Sequence, residues 1–282
     1  GWSVSSAGDF DHDGFDDLLV GDYATSRVSL AFGSDDAFPA SVSTASLDGD
    51  TGFIMNGPAD SETGSSVSSI GDINGDSFHD FLIGASKAGS GWSGRAYVVL
   101  GSGTHSAASV QLETDAAFQL NPITGDEIGG HGDRFGLAVS AAGDMNGDGF
   151  DDFVVSAPLH DTGGLHDAGE AYVIFGSANP TTVDVATLDG TNGFRLQGRA
   201  SAAVGLPVNV AGDVNGDGYS DLLVASYYLG AREEIYLVYG AHDGFASTLD
   251  LAALDGTAGS ILTGITEYSC NMPCVGRSVS TA

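Results

Sequence analysis

Positive charge is nearly missing from this sequence. Its 282 residues include 8 Lys and Arg against 38 Asp and Glu, for a formal net charge of −30. Such a field repels phosphate backbones and anionic headgroups, which excludes nucleic acid and a membrane surface as partners. It attracts cations, although an acidic surface can also serve solubility alone. Cysteine is equally scarce. The only two are Cys270 and Cys274, too few for a zinc site without histidine, and the nearest His is His242. They flank a short Asn-Met-Pro turn, so a small local disulfide is expected in preference to free thiols, and with it an oxidising compartment. No apolar run is long enough to span a bilayer. Sustained helical periodicity is also absent. Hydrophobic residues still make up 42% of the chain, which excludes a disordered acidic tail and is ample for a large core.

What the sequence does contain is an internal repeat, a feature that decides architecture before any other. Segments 3–20, 66–83, 138–155 and 207–224 align without gaps. Each carries an acidic loop followed at once by an apolar triplet: Leu18-Leu19-Val20, Phe81-Leu82-Ile83, Phe153-Val154-Val155 and Leu222-Leu223-Val224. A second apolar run follows and ends in Gly33, Gly101, Gly176 or Gly240. Three periods then show Leu-Asp-Gly-x-x-Gly, beginning at Leu47, Leu188 and Leu254, before a third short run. Short runs rich in Val, Ile, Phe and Tyr, bounded by Gly, Asp and Asn, read as strands. Four strands per period, repeated about an axis, is the pattern of β-propeller blades. The unbroken triplets predict strands covered on both faces.

The chain therefore reads as a single all-β propeller region, 1–282, with repeats at 1–64, 65–135, 136–204 and 205–275. Gly276–Ala282 matches Gly1–Ala7, so a first strand of a fifth period is expected there. An open arc of blades would leave the apolar faces of its end sheets bare. Either the blades belong to a larger ring, or 276–282 closes a ring of four by pairing beside the first sheet.

The acidic loops begin at Asp9, Asp72, Asp144 and Asp213, and each has oxygen-bearing side chains at its positions 1, 3, 5 and 9. These are Asp9, Asp11, Asp13 and Asp17; Asp72, Asn74, Asp76 and Asp80; Asp144, Asn146, Asp148 and Asp152; and Asp213, Asn215, Asp217 and Asp221. Alternate positions of a tight turn put such oxygens on one concave side. By analogy with the EF-hand loop, the carbonyl of position 7 (Phe15, Phe78, Phe150 or Tyr219) joins them. Four side chains, one carbonyl and water satisfy Ca²⁺, a hard ion that takes 6–8 oxygens; Mg²⁺ demands a stricter octahedron. These loops lack the EF-hand's Glu at position 12 and its flanking helices. One such loop would be an ordinary Asp/Gly turn, but four in register predict about four Ca²⁺. Gly14, Gly149 and Gly218 at position 6 suit a left-handed turn, whereas loop two has Ser77 there. Loop two also has one ligand carboxylate fewer than loop one, so it is expected to bind more weakly.

Together, Gly-x-Ser-Val, Gly-Asp-x-Asn-Gly-Asp-Gly-x-x-Asp and Leu-Leu-Val resemble the FG-GAP repeat of integrin α-subunit propellers and their bacterial relatives. The resemblance covers nearly the whole chain. It implies a propeller, with calcium between the first two strands of certain blades, and of the two arrangements above it favours the larger ring, with seven blades as in integrins. It also implies an extracellular or cell-surface setting. The chain departs from the pattern at the "GAP" turn, which reads Gly21-Asp22-Tyr23, Gly84-Ala85-Ser86, Ser156-Ala157-Pro158 and Ala225-Ser226-Tyr227.

Other signals are weaker. Gly89-Ser90-Gly91-Trp92-Ser93-Gly94 matches a dinucleotide fingerprint, but that motif needs a helix after it, and Arg95–Val99 reads as a strand. His160, Asp161, His166 and Asp167 carry donors for a transition metal. Their long loop instead reads as solvated and variable, as does the acidic stretch 126–134. No nucleophile elbow and no partnered Cys–His pair is present. The leading reading is thus a non-catalytic adhesion or interaction module for a protein or glycan ligand. The alternatives are an accessory or catalytic propeller of a secreted hydrolase or polysaccharide lyase, as found beside related repeats, and a structural link in a repetitive surface adhesin.

Overall fold

The computed structural model describes residues 2–35, 41–104, 107–123, 132–226 and 234–263. Cys270, Cys274 and segment 276–282 lie outside the described residues, and with them the expected disulfide and the closing strand.

Repeat one supplies β1 (Ser3–Gly8), β2 (Asp17–Asp22), β3 (Arg27–Ala31) and β4 (Gly52–Asn56). Repeat two, whose first strand starts two residues before the boundary read from the sequence, supplies β5 (Thr63–Gly71), β6 (Asp80–Ala85), β7 (Arg95–Val99), β8 (Ser109–Gln111) and β9 (Phe118–Asn121). Repeat three supplies β10 (Val139–Gly143), β11 (Asp152–Ala157), β12 (Glu170–Ile174), β13 (Val183–Asp184) and β14 (Gly193–Gln197). Repeat four supplies β15 (Val204–Gly212), β16 (Asp221–Ser226), β17 (Ile235–Val238), β18 (Thr248–Asp250) and β19 (Gly259–Leu262).

Each repeat forms one antiparallel meander, in the orders β1-β2-β3-β4, β5-β6-β7-β9, β10-β11-β12-β14 and β15-β16-β17-β19. Sequence predicts four strands per sheet, but the first three sheets have five. The extra strand is a short parallel one lent by the next repeat: β8 lies on β4, β13 on β9 and β18 on β14. An outer strand has unpaired N–H and C=O groups along one edge, and this lap covers part of that edge. Two or three residues are too few for alternation to reveal them in the sequence.

The sheets stack face to face in chain order, and three layers of core fill the gaps between them. Along β6, Phe81, Ile83 and Ala85 point to sheet one, while Leu82 points to sheet three. Along β11, Phe153, Val155 and Ala157 point to sheet two, while Val154 points to sheet four. This two-sided burial explains the unbroken apolar triplets. Sheet one has a neighbour on one face only among the described residues, and Val4 and Leu18 on its other face are exposed. Glycines permit the close stacking. A Cβ on Gly84 of β6 would sit 1.9 Å from the Gly136 carbonyl of the next repeat.

Every first strand ends in a bulge at Gly8, Gly71, Gly143 or Gly212, all with φ between 66° and 74°. The bulge turns the chain out of the sheet and into the acidic loop, which explains the invariant Gly-Asp step of the repeat.

Candidate metal-binding loops

All four acidic loops connect the first two strands of their sheets, so they occupy the same corner of each blade. Their internal wiring repeats. In loop two, Asp72 Oδ1 accepts the N–H groups of Gly75 (2.7 Å) and Asp76 (3.1 Å), and its Oδ2 accepts that of Ser77 (2.8 Å). Asp144 and Asp213 repeat this set in loops three and four. In loop one, Asp9 Oδ2 accepts the Gly14 N–H at 3.1 Å, while Asp9 Oδ1 is shielded from solvent and has no partner. Position 3 accepts the N–H of position 5, and position 5 accepts that of position 7, throughout. In the last three loops the Asn at position 3 (Asn74, Asn146, Asn215) also donates its amide to the position-5 carboxylate.

Position 9 does something that spacing alone does not reveal. Asp17 Oδ2 accepts the Phe10 N–H (2.9 Å) and its Oδ1 the Gly33 N–H (2.8 Å). Asp80 holds Ile73 and Gly101, Asp152 holds Met145 and Gly176, and Asp221 holds Val214 and Gly240 in the same way. These four carboxylates are buried. Each one ties the loop to the glycine two residues past the third strand, where a Cβ would meet the position-8 carbonyl of the loop at 2.4–2.6 Å, so only glycine fits. Burial pushes Asp17 up to about 6, Asp80 up to about 7 and Asp152 up to about 8, against the pull of the two N–H groups.

In loop one the side chains at positions 1, 3 and 5 converge. Ligating atoms of Asp9, Asp11 and Asp13 lie within 4.8 Å of one another, a group able to hold a metal ion. The donors are all oxygen, which suits a hard cation. The position-7 residues Phe15, Phe78, Phe150 and Tyr219 follow directly, each with its N–H on position 5.

The left-handed positions differ from the reading at position 6 alone. Position 4 is left-handed as well, at His12 (φ 62°), Gly75 (77°), Gly147 (74°) and Gly216 (79°). Position 6 has Gly14 (93°), Ser77 (72°), Gly149 (91°) and Gly218 (95°). Loops one and two therefore each hold one non-glycine residue in this region, and the strain offered as a reason to rank them cancels.

The loop at 159–170 is solvated, as its composition suggests, only over 163–166, and its two ends are buried. His160 and Asp161 are buried. His160 Nδ1 lies 3.3 Å from Asp133 Oδ2 and its Nε2 lies 3.8 Å from Glu170 Oε2. Thr162 Oγ1 donates to Glu170 Oε1, and the Asp167 N–H donates to Asp161 Oδ1. Ligating atoms of Asp161, His166 and Asp167 also converge within 4.8 Å. The doubled His-Asp pair was the one sequence signal for this cluster, because no other repeat has a counterpart. The segment Gly89–Gly94 forms a 3₁₀ turn at Ser90–Trp92 and leads into β7, so no helix follows the fingerprint.

Repeated four-stranded meanders stacked on one another, each with an acidic loop at the same corner, define a propeller built from like blades. The profile of the FG-GAP repeat matches residues 1–30, 63–99, 135–174 and 208–246, just over half of the chain. The chain belongs to the FG-GAP repeat family. It is similar to integrin alpha-V of Gallus gallus, at 30% identity over 80% of this chain and 20% of that protein. It is 30% identical to integrin alpha-IIb of Mus musculus over 66% of this chain and 16% of the relative. With integrin alpha-PS2 of Drosophila melanogaster it shares 34% identity over 42% of this chain and 8% of the relative. The chain thus matches a fifth or less of the length of these relatives. Among the described residues, no helix is long and apolar enough to cross a membrane.

Proposed function

We propose that this chain is a calcium-dependent, non-catalytic interaction module of an extracellular or cell-surface protein. Calcium holds the four acidic loops, and the opposite ends of the blades meet a protein or glycan ligand. One observation carries the reading: the same nine-residue oxygen cage recurs at the same corner of four sheets. Within each cage, positions 1, 3 and 5 are the ion's ligands, with the position-7 carbonyl and the outer lone pairs of position 9. Asp9 Oδ1, shielded and without a donor, fits the role of a cation ligand, since such an oxygen carries a free-energy cost unless something positive faces it. Kinship with integrin α-subunits supports the cell-surface setting and the adhesive role. The buried cluster of Asp133, His160 and Glu170 gives little support to an enzyme reading, because a substrate would have to reach side chains that solvent does not.

Calorimetric titration with calcium is expected to show about four sites per chain. A structure solved at millimolar calcium with empty loops would overturn the assignment.

A further inference from the structure

The four loops are not independent of one another, because each touches the next in three repeated ways. First, the position-8 N–H of one loop donates to the position-1 carbonyl of the preceding loop. These bonds are His79 to Asp9 (3.3 Å), Asp151 to Asp72 (3.2 Å) and Ser220 to Asp144 (3.0 Å). Second, the residue after each anchored glycine donates to the position-2 carbonyl of the preceding loop. These are Ser102 to Phe10 (3.0 Å), Ser177 to Ile73 (2.8 Å) and Ala241 to Met145 (2.8 Å). Third, the position-7 ring of one loop lies against position 4 of the one before. The rings of Phe78 and His12 are 5.4 Å apart, and a Cβ on Gly75 or Gly147 would meet Phe150 or Tyr219 within 2.8 Å. Between loops two and three there is a fourth link, since Asp151 Oδ2 accepts the Asp72 N–H at 3.0 Å.

The placement of these links matters more than their number. Positions 1 and 2 begin a loop, and closing that loop around an ion fixes both of their carbonyls. The position-1 carbonyl holds position 8 of the next loop, between its position-7 carbonyl and its position-9 anchor, and the position-2 carbonyl holds the residue after the glycine to which that anchor is bonded. Ordering one loop therefore removes part of the ordering that the next loop must undergo to bind. A second ligand that meets an already ordered site binds more tightly, and the coupling is reciprocal. Charge works against this, because filling a loop removes two units of its negative charge and so weakens its pull on the next ion. Salt screens that loss between neighbouring exposed loops, and the net coupling is set by the hydrogen-bonded links.

We infer that the loops load calcium cooperatively, each site raising the affinity of its immediate neighbours in the chain of blades. This rests on the calcium reading above and extends it to regulation: a narrow rise in calcium sets the whole array rather than one blade. Asp151 is a positioning residue here, since it touches the preceding loop's backbone and lies outside the ligand set.

Hydrogen exchange read by mass spectrometry across a calcium titration resolves each loop separately. In the wild type, all four loops are expected to gain protection over a shared, steep range. D148A empties loop three. Loops two and four are then expected to need about fivefold more calcium, the lower end of typical couplings, while loop one shifts least. D151S leaves every ligand in place and should weaken the link between loops two and three alone. D148N replaces D148A if the alanine variant does not fold. If loops gain protection in the wild type but D148A alters loop three only, the coupling is refuted while calcium binding stands. If no loop responds to calcium in the wild type, the calcium reading itself fails and the coupling with it.

Discussion

At the scale of single residues, the loops show which features a motif can reveal. The spacing of Asp and Asn picked out the side chains that wire each loop to itself, because alternate positions of a turn share a side whatever the details. It did not reveal that Asp17, Asp80, Asp152 and Asp221 are buried anchors, because their second partner is a glycine N–H about twenty residues downstream. Nor did it reveal the left-handed position 4, because three of the four residues there are glycines and His12 hides the rule. Backbone strain gives a direct test. S77G and H12G each replace a side chain held at positive φ, and each should stabilise the calcium-free protein by about 1 kcal/mol. Urea denaturation in chelator measures this, and a loss of stability in both variants would contradict the geometry.

The buried anchors also set a pH dependence. Asp17, Asp80 and Asp152 have native values raised from 3.8 to about 6, 7 and 8. The native state therefore holds more protons than the unfolded chain between about pH 4 and pH 8, and stability falls as pH rises through that window. In chelator, the melting temperature should be higher at pH 5.5 than at pH 8. Saturating calcium should flatten the slope, because a cation beside a carboxylate favours its ionised form. A melting temperature that rises with pH in chelator would show that these carboxylates are not buried as described.

At the scale of elements, anchors and cages separate cleanly. D152A strands two buried donors, the Met145 and Gly176 N–H groups, whereas D148A removes an exposed side chain. At about 1–3 kcal/mol for each buried group left unpaired, D152A should cost several kcal/mol in chelator and D148A less than about 1. Equal losses in urea melts would mean that position 9 acts only through the ion. The strands themselves were legible from sequence: apolar triplets such as Phe81-Leu82-Ile83 fill core layers on both sides of their sheet. The lapping strands β8, β13 and β18 were not, because their partners belong to another repeat and their length is too short for a pattern. The cluster around His160 was missed for a related reason. It joins Asp133, from before the third repeat, to His160 and Glu170 at the two ends of one loop, and the other repeats have no counterpart.

For the whole molecule, the proposed calcium sites would gather thirteen carboxylates in four loops and make metal the main lever on stability. Four sites at a calcium concentration a hundredfold above Kd contribute about 2.7 kcal/mol each. Removal with EGTA should lower the melting temperature by more than about 10 °C. Magnesium should restore little of it, since it keeps its waters and resists an irregular cage. An unchanged melt in EGTA would show that packing alone holds the loops.

The lapping strands carry a consequence for how the chain is made. Asn56 completes the outer strand of sheet one, yet its cover ends only at Gln111, and the same delay separates Gln197 from Asp250. At about 5–20 residues per second, each finished meander waits several seconds on the ribosome with its outer edge bare. The chain therefore emerges as a series of roof tiles, each weatherproof only after the next has been laid. Nascent chains following one another along a message would meet with such edges uncovered, which makes the rate of synthesis, as well as the sequence, a determinant of how much of this protein reaches its folded state.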